Sequence, residues 1–526
     1  MNRTSERASG STPRRRTFLK GLGALSVLGL AGCSGDGGQG SDSPGESPTA
    51  GSTPTTDGTD PTTTGTSTTT APTTPEPTTT TPTRTPPDTP VSPPDDATVL
   101  FGDGVEGLSE WVASGGGDPP WTVAEDGSYV EIVPGSDWIE TADPIGDCHL
   151  HLEFQPPAPV DGEEVGGNSG VFMMKRYEFQ VLNNRAVDGT SSGMAGAYFA
   201  QAPPLVDSSR PSDRWQAYDI IWRGPNFEDG QLVDPARATV FFNGVVTSAH
   251  LNCVGVTSGT NPSPYAPHPE EVPLQLQDHD QVARFRNIWY RSLPAERDTT
   301  TYTPTYDSDH QQEAYDPNDG DAENVDPGPT MADPPSDATV LLAGGDLSGW
   351  TGPDGGSPGW TEADGYVSAE PGAGNITSEA AFGDCQLHAE FRIPEGGTGR
   401  SGVMIANRYE FAINGDEDAD PEHRTGAYPE QAAPLQDAAG AAGEWQTVDV
   451  VWEGPRFGPE GTVLGRYARA TVLVNGVVVQ NRLYPNGPNA DGSVSVYRFH
   501  ETDQPLGLRG TDDPVHFRNV WYRPLD

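Results

Sequence analysis

The stretch Cys148-His149-Leu150-His151-Leu152-Glu153-Phe154 indicates the fold, because apolar and polar residues alternate along it without a break. A period of two residues is typical of a β-strand, which would bury Cys148, Leu150, Leu152 and Phe154 on one face. The pattern returns as Cys385-Gln386-Leu387-His388-Ala389-Glu390-Phe391. The chain is therefore predicted to contain this strand twice.

Other segments repeat in the same order, with only small insertions and deletions between the copies. Residues 96–100 return as 337–341, 146–148 as 383–385, 176–179 as 408–411, and 285–291 as 517–523. Where the copies agree, we expect residues that the architecture needs. Where they differ at polar positions, one copy can have kept chemistry that the other lost.

Both copies have the sequence features of an all-β fold. Helical periodicity is nearly absent, and short strand-like runs are separated by Gly, Pro, Asp and Asn. Asn243-Gly244 is a strong signal for a tight hairpin turn. Further strand candidates are residues 170–174, 177–182, 218–222, 238–242 and 284–290. These patterns predict two tandem antiparallel β-sandwiches of the jelly-roll type.

The N-terminus is predicted to be an export signal. Arg15-Arg16 opens a twin-arginine motif, and the apolar stretch 21–32 is too short to span a bilayer. Leu30-Ala31-Gly32-Cys33 resembles a lipoprotein cleavage box, so Cys33 is the predicted lipidation site. The mature protein would then be anchored at the outer face of the cell membrane. An ordinary cleavage site in a plain exported protein is the alternative.

Composition divides the rest of the chain. Residues 34–95 are almost wholly Ser, Thr, Pro, Gly and Asp, which predicts a disordered stalk. Residues 294–336 are acidic and Pro-rich, which predicts a solvated linker; residues 316–321 lack the spacing of an EF-hand loop. The predicted domains are the signal (1–33), the stalk (34–95), module 1 (96–293), the linker (294–336) and module 2 (337–526).

The formal net charge is −46, from 76 acidic and 30 basic residues. This charge argues against nucleic acid as a partner. It favours a halophilic source, where salt screens the repulsion, over a merely acidic secreted protein. Lysine occurs only at Lys20 and Lys175.

The cysteines are predicted to be free thiols. Cys148 and Cys385 occupy equivalent places in the two copies, whereas Cys253 has no counterpart. A disulfide between Cys148 and Cys253 would leave Cys385 without a partner. Buried, unpaired thiols are therefore the better interpretation.

A series of short motifs runs through each copy in the same order. In module 1 they are 97–101, 108–111, 121–129, Asn168-Ser169-Gly170-Val171-Phe172, Tyr177-Glu178-Phe179-Gln180-Val181-Leu182-Asn183-Asn184, 214–216, 242–244, Leu276-Gln277-Asp278-His279 and 285–288. Single motifs are weak, but together they cover nearly all of both modules. By these motifs each copy resembles the 3-keto-disaccharide hydrolase domain family.

The resemblance implies a concanavalin-like sandwich with a concave, sugar-facing sheet, and cleavage of glycosides already oxidised at C3. A 3-keto group acidifies the C2 hydrogen, so a base can remove that proton while an acid protonates the departing oxygen. Water can then add to the unsaturated product. Groups that stabilise the enolate complete such a site.

The candidate catalytic residues are Glu178, Asp278 and His279. Strand alternation puts Glu178 and Gln180 on one face, and histidine, the residue type at His279, is suited to proton transfer. The candidate substrate-binding residues are Gln180, Asn168, Asn183 and Gln277. A carboxylate and a histidine could equally hold a divalent metal, so the cofactor stays open.

Differences between the copies weaken the predicted site of module 2. Gln180 is replaced by Ala412 and Asn168 by Arg400, and we align Asp278-His279 with Arg509-Gly510. Asn183 stands where the family usually has Asp, and Asn414 repeats that change, so both copies depart from the family there.

A non-catalytic, lectin-like carbohydrate-binding protein is therefore the main alternative, with aromatic residues such as Trp138, Tyr198 and Trp215 gripping the sugar. A surface scaffold without either activity is a weaker alternative. Glu178 can also be an ordinary solvated sheet residue. His149, His151 and Glu153 could form a metal-binding strip, although a half-exposed sheet face carries such residues routinely.

Overall fold

The computed structural model describes residues 92–186, 191–258, 261–294, 323–327, 332–458, 463–490 and 496–525. The predicted signal, nearly all of the predicted stalk and residues 316–321 lie outside this range. The described helices are short 3-10 turns at Asn184–Ala186, Ser191–Gly193 and Pro421–His423. None of the described helices is long and apolar enough to cross a membrane.

Module 1 is built from short antiparallel strands. They are β1 (Thr98–Phe101), β2 (Trp111–Ala113), β3 (Thr122–Val123), β4 (Val130–Glu131), β5 (Ile139–Thr141), β6 (Cys148–Gln155), β7 (Ser169–Met173), β8 (Tyr177–Val181), β9 (Val206–Asp207), β10 (Gln216–Arg223), β11 (Asn226–Glu228), β12 (Gln231–Asp234), β13 (Arg237–Phe242), β14 (Val245–Asn252), β15 (Val256–Ser258), β16 (Asn261–Ser263), β17 (Gln275–Leu276) and β18 (Arg284–Ser292).

Two sheets of module 1 pack face to face. The large sheet has eight strands in the order β14-β13-β10-β6-β18-β4-β3, with β1 paired to β18. The small sheet has five strands in the order β2-β5-β17-β7-β8. The core between them includes Leu150 and Phe154 from the large sheet and Phe179 and Leu276 from the small one. The strand at 148–154 thus buries the predicted face.

Module 2 repeats the two main sheets of module 1 strand for strand. After β19 (Glu323–Asn324), its strands are β20 (Thr339–Leu342), β21 (Trp350–Thr351), β22 (Thr361–Ala363), β23 (Tyr366–Ser368), β24 (Ile376–Phe382), β25 (Cys385–Arg392), β26 (Arg400–Ile405), β27 (Tyr409–Asn414), β28 (Gln446–Glu453), β29 (Arg456–Phe457), β30 (Val463–Arg466), β31 (Arg469–Val474), β32 (Val477–Leu483), β33 (Gln504–Leu508) and β34 (His516–Pro524).

The sheets of module 2 have the orders β22-β23-β34-β25-β28-β31-β32, with β20 on β34, and β21-β24-β33-β26-β27. These orders match those of module 1. The all-β prediction of two tandem sandwiches is confirmed.

Backbone geometry explains why Asn287 and Asn519 recur. Each has a positive φ, 49° and 47°, where β18 and β34 shift register against their neighbours. Asn is among the few residues that adopt this conformation readily. The side chain of Asn287 also donates to Glu153 Oε1 at 2.8 Å. Asn243 and Gly244, with φ values of 54° and 84°, form the predicted hairpin turn.

The cysteine prediction is confirmed. Cys148, Cys253 and Cys385 are buried and free. Cys148 pairs in register with Trp222, and Cys385 pairs with Trp452 at the equivalent place.

The two modules pack against each other through their large sheets. An apolar cluster joins Ile221, Phe241 and Val246 of module 1 to Val451, Leu473 and Val478 of module 2. This surface lies on the outer faces of β10, β13 and β14 and of β28, β31 and β32. The outer faces of the small sheets take no part in this cluster.

Polar contacts across the interface are buried as well. His250 Nδ1 lies 2.6 Å from Glu453 Oε2, and its Nε2 lies 3.0 Å from Thr471 Oγ1. Gln386 donates to the Gly244 carbonyl at 2.7 Å and accepts from the Val246 N–H at 2.9 Å. Module 2 therefore covers a surface of module 1.

The predicted linker is not solvated throughout, because its residues 323–325 pack on module 1. Strand β19 pairs in parallel with β9, and the Val325 N–H donates to the Asp207 carbonyl at 2.9 Å. Val325 is buried with Val206 and Val245. Apolar burial outweighs the acidic, Pro-rich composition here, so this piece is not a solvated spacer.

Candidate functional site

The outer face of the small sheet in module 1 carries a polar surface that we call the site face. Its register follows from strand pairing: Phe172 is opposite Glu178 on one side and Gln275 on the other, and Gln275 is opposite Glu140. Gln180 lies opposite Gly170, whose carbonyl accepts the Gln277 N–H at 3.1 Å. The site face comprises Trp138, Glu140, Phe172, Lys175, Glu178, Gln180, Gln275 and Gln277.

Glu178 is buried although it lies on an outer face. A side chain at Gly170 would meet Glu178 Oε1 at 2.7 Å and the Phe172 ring at 2.9 Å, so a larger residue at this position would displace the Glu178 carboxyl or the Phe172 ring. No hydrogen bond or ion pair to the Glu178 carboxyl occurs in the described part of the chain. Burial raises the pKa of this carboxyl to about 8. Glu178 is therefore mostly protonated at neutral pH.

Two amides beside Glu178 have unsatisfied atoms. Gln180 is 3% exposed and Gln277 is 9% exposed, and the Oε1 atom of each is buried without a hydrogen-bond partner among the described residues. An unpaired buried polar atom costs about 1–3 kcal/mol. Such atoms recur where a ligand supplies the missing hydrogen bond.

Aromatic and charged groups extend the site face. The Trp138 ring packs on Phe172 with centroids 5.1 Å apart, and Trp138 is partly exposed. Lys175 Nζ lies 2.6 Å from Glu140 Oε2. A partly exposed aromatic ring beside polar groups is a surface on which sugar rings can stack.

The structure places only some of the predicted residues together. Glu178, Gln180 and Gln277 share the site face. Asp278 is half-buried; its carboxylate accepts from Ser136 Oγ at 3.4 Å and from the Asp280 N–H at 2.8 Å. His279 is exposed, and nothing in the described residues hydrogen-bonds it to Glu178. Asp278 and His279 follow Gln277 directly but leave the sheet.

Asn183 holds a loop. Its Nδ2 donates to Glu164 Oε2 at 2.9 Å and to the Val165 carbonyl at 3.0 Å, while its Oδ1 accepts the Arg185 N–H. These bonds use both ends of the amide. Asn168 is half-buried, and its backbone N–H donates to Gln281 Oε1 at 3.0 Å.

Two of the three aromatic candidates lie away from the site face. Tyr198 is buried in the core. Trp215 packs under the Arg286 guanidinium, 4.1 Å from the ring centroid, on the large sheet. Trp138 is the candidate that adjoins Glu178's neighbour Phe172.

In module 2 the equivalent glutamate is neutralised by an arginine. Arg509 Nη1 lies 2.8 and 2.7 Å from the two carboxyl oxygens of Glu410. Burial raises the pKa of the Glu410 carboxyl, while the hydrogen bonds and charge of Arg509 oppose that shift. Glu410 is thus held in an ion pair that Glu178 lacks.

Backbone contacts correct our alignment at this point. Ser401 Oγ donates to the Arg509 carbonyl at 2.6 Å, as Ser169 Oγ donates to the Gln277 carbonyl at 2.6 Å. Arg509 therefore replaces Gln277, and Asp278-His279 corresponds to Gly510-Thr511. The alignment of Asp278-His279 with Arg509-Gly510 was wrong by one residue, because neighbouring sequence alone did not settle the strand register.

Nearly the whole site face differs between the modules. The register gives these replacements: Trp138 by Asn375, Glu140 by Thr377, Phe172 by Met404, Lys175 by Asn407, Gln180 by Ala412, Gln275 by Gly507 and Gln277 by Arg509. Only the glutamate, Glu178 or Glu410, is kept. Asn407 and Met404 approach the space above Gly507 that a side chain would need.

The suggested metal strip on the large sheet is a buried ion-pair cluster. Asp219 Oδ1 lies 3.0 Å from His149 Nε2 and 2.8 Å from His151 Nδ1. Burial lowers the pKa of His151, but the charge and hydrogen bonds of Asp219 and Glu153 outweigh it and raise that pKa to about 9. Within the described residues, no three His, Cys, Asp or Glu side chains are grouped to hold a metal ion.

Two cavities lie elsewhere in the molecule. A cavity of about 280 Å³ borders Gln155, Asp213 and Arg284, and a small one of about 10 Å³ lies at the module interface beside His250 and Arg482. Neither is lined by Glu178. The orphaned amides and the unpaired carboxyl, rather than cavity size, therefore locate the candidate site.

Sequence reasoning missed Glu140, Phe172, Lys175 and Gln275 as members of the site face. The signal was available in part, since two of them change chemical type between the copies: Lys175 to Asn407 and Gln275 to Gly507. Glu140 required the pairing of β5 with β17, which no local pattern specifies.

Comparison with known proteins agrees with this architecture. The sequence matches the family described as 3-keto-alpha-glucoside-1,2-lyase-like domain over residues 96–291 and 337–523, well over half of the chain. No curated protein matches the sequence.

Similar solved structures include candidate glycosyl hydrolases and a carbohydrate-binding module. A candidate glycosyl hydrolase from Parabacteroides distasonis is 30% identical over 36% of this chain and 84% of its own, with a TM-score of 0.34. A second candidate glycosyl hydrolase from that organism is 17% identical over 36% of this chain and 94% of its own, with a TM-score of 0.30. The carbohydrate-binding module CBM66 from Bacillus subtilis is 13% identical over 35% of this chain and 93% of its own, with a TM-score of 0.18. At such TM-scores these structures carry no argument about the site. On the family match, the chain belongs to the 3-keto-alpha-glucoside-1,2-lyase-like domain family and carries two copies of that domain in tandem.

Proposed function

We propose that module 1 cleaves glycosides already oxidised at C3, and that Glu178 donates a proton to the departing glycosidic oxygen. The observation that carries this proposal is a buried carboxyl with a pKa of about 8 and no cationic partner among the described residues. A general acid works best when its pKa lies near the operating pH. Family membership supplies the substrate class.

The proposed reaction is an elimination. A base removes the C2 proton, whose acidity the 3-keto group raises, and the electron pair forms the C1–C2 double bond. The bond from C1 to the glycosidic oxygen breaks, and that oxygen takes the Glu178 proton. Addition of water across the double bond then completes a net hydrolysis.

The amides of Gln180 and Gln277 are suited to bind the sugar. Their orphaned ends lie beside Glu178 on the site face. The oxygen and nitrogen of an amide exchange places by a flip, so each can accept from a hydroxyl or donate to an enolate oxygen. Removing one such donor from a site of this kind costs about 10²–10³-fold in kcat.

The base is proposed to come from the segment after Gln277. Asp278 is half-buried next to the site face, and His279 is exposed beside it. Asp278→Asn and His279→Ala separate the two, since the residue that acts as base should lose the larger part of kcat. A second proposal is that a divalent metal binds together with the substrate. Its test is the rate of turnover measured with and without a chelator.

A non-catalytic carbohydrate-binding role is the alternative proposal. It is favoured by Asn183, which stands where the family usually has Asp and is used in loop hydrogen bonds. A binding protein would bind a glycoside at the Trp138 surface and release it unchanged.

The test of the proposed function is a product analysis. Purified protein in high salt is mixed with a 3-keto-glycoside and, as control, with the same glycoside unoxidised. We expect a free aglycone and an unsaturated or hydrated 3-keto sugar from the oxidised substrate alone. Binding without any product from either compound would contradict the enzyme and support the binding protein.

We further propose that the protein is exported and lipid-anchored through Cys33, in a halophilic host. Residues 1–33 lie outside the described residues, and the proposal rests on their sequence. Changing Arg15-Arg16 to Lys-Lys should block export, and Cys33→Ser should release soluble protein or stall processing. Unchanged membrane association of the Cys33→Ser protein would contradict the anchor.

A further inference from the structure

Lys175 stands out among the described residues because no other lysine occurs there. It lies in the three-residue turn that joins β7, which carries Phe172, to β8, which carries Glu178. Met174 and Lys175 have φ values of 52° and 59°, a conformation that long side chains rarely adopt. This turn directs the lysine back across the sheet.

Lys175 is held in a hydrogen-bonded network on the site face. Its ammonium lies 2.6 Å from Glu140 Oε2, which also accepts from Ser114 Oγ at 3.0 Å and from Gln275 Nε2 at 3.3 Å. Gln275 Nε2 donates to Ser114 Oγ as well. Lys175 remains 35% exposed while Glu140 is 14% exposed. The contact with Glu140 therefore fixes the position of the ammonium on the site face.

The network lies at a distance from Glu178 along the same face. Strands β8, β7, β17 and β5 are neighbours in that order, and strands in a sheet are about 4.8 Å apart. Three such spacings separate the backbone of Glu178 from that of Glu140. The site face therefore extends beyond the space that one sugar ring next to Glu178 would fill.

The fold does not require this network. In module 2 the equivalent residues are Pro353 for Ser114, Thr377 for Glu140, Asn407 for Lys175 and Gly507 for Gln275. Module 2 has the same strand order without any of these groups. The network thus belongs to the set of residues that only module 1 has kept.

We propose that Lys175, held by Glu140, is a specificity-determining residue that binds hydroxyls of the second sugar ring of a disaccharide substrate. The pair offers ammonium donors and carboxylate acceptors side by side, which matches a hydroxyl group that both donates and accepts. The ammonium and the carboxylate together carry no net charge, so a neutral sugar is the predicted ligand. This inference rests on the proposed function.

The test compares two substrates and two variants. Lys175→Met keeps the length of the side chain but removes its charge and donors, and Glu140→Gln removes the charge that holds the lysine. For each variant, we expect the ratio of variant KM to wild-type KM to be about ten times larger for a 3-keto-disaccharide than for a 3-keto methyl glycoside. Asn407→Met, at the equivalent turn of module 2, should leave both KM values unchanged.

A binding experiment separates failure of this inference from failure of the proposed function. Titration calorimetry with the unoxidised disaccharide measures binding even if no 3-keto-glycoside is cleaved. Weaker binding by Lys175→Met than by the wild type supports the inference, with melting temperatures as the check on folding. Equal affinity of the two proteins, or equal KM changes for both substrates, would overturn it.

Discussion

The two sheets of each module differ in what they preserve between the copies. The outer face of the large sheet keeps most of its residues: His151 and His388, Glu153 and Glu390, Asp219 and Asp449, Arg286 and Arg518, Asn287 and Asn519, and Trp289 and Trp521. His149, replaced by Gln386, and His250, replaced by Arg482, are exceptions at the module interface. The site face on the small sheet keeps only Glu178 and Glu410. Polar residues that both copies retain serve packing and pairing here, and the divergent face is where a function has been kept or lost.

The preserved glutamate itself differs in its surroundings. Glu178 has a pKa of about 8 and shares the site face with two orphaned amides, whereas Glu410 is paired with Arg509 through both carboxyl oxygens. An arginine that hydrogen-bonds both oxygens of a carboxyl lowers its pKa and makes it less available as a proton donor. One substitution, Gln277 against Arg509, thus accounts for much of the difference between the modules.

The largest predicted effect comes from moving that arginine into module 1. Gln277→Arg should pair with Glu178, hold it ionised and lower kcat about 10²–10⁴-fold, the usual contribution of a general acid. Steady-state kinetics on a 3-keto-glycoside measure the change. The matched control, Arg509→Gln in module 2, should change the total rate little, since Ala412, Asn407 and Asn375 remain.

The unpaired carboxyl should also lower stability. The folded-state pKa of Glu178 is raised from 4.5 to about 8. Below pH 4.5 the protonated carboxyl therefore costs no stability, and the free energy of unfolding falls as the pH rises from 4.5 through 8. At pH 8, Glu178→Gln should therefore raise the free energy of unfolding by about 4 kcal/mol, and at pH 4 the difference should nearly vanish. Denaturant titrations at both pH values measure this, and a variant less stable at pH 8 would contradict it.

The pH dependence of turnover follows from the same group. If protonated Glu178 is the acid, kcat/KM should fall above about pH 8, roughly tenfold per pH unit. Rates from pH 6 to pH 10 measure this limb. A kcat/KM that instead rises through pH 8 would assign Glu178 as a base.

The smallest predicted effect concerns the module interface. Burial lowers the pKa of His250 to about 4, although the hydrogen bond and charge of Glu453 oppose that shift, so His250 is neutral at pH 7. His250→Phe leaves Glu453 and Thr471 without this partner and should cost about 1 kcal/mol of stability. Thermal unfolding measures it. His423→Phe, which removes an exposed pair with Glu430, should cost less.

The sequence predicted the fold well because its deciding signals are local. The alternation at 148–154, the Asn243-Gly244 turn and the repeated segments depend on neighbouring residues, and each appears in the structure. The face shared by Glu178 and Gln180 followed from strand alternation for the same reason.

The rest of the candidate site depended on pairing between distant strands. Glu140 joins Lys175 only because β5 and β17 are neighbours. The residue of module 1 that corresponds to Arg509 was identified only through the hydrogen bond from Ser401 to the Arg509 carbonyl. The docking of β19 on β9 depends on buried Val325, which the composition of the linker concealed. Local patterns carry no information about such long-range contacts.

The most direct test of the central claim is the turnover of one 3-keto-glycoside by two matched variants, Glu178→Gln in module 1 and Glu410→Gln in module 2. Both changes remove one carboxyl from a buried, equivalent strand position and keep its shape. The account predicts that Glu178→Gln lowers kcat by about 10²–10⁴-fold while Glu410→Gln retains nearly the full rate. Loss of turnover in Glu410→Gln with an active Glu178→Gln would contradict it.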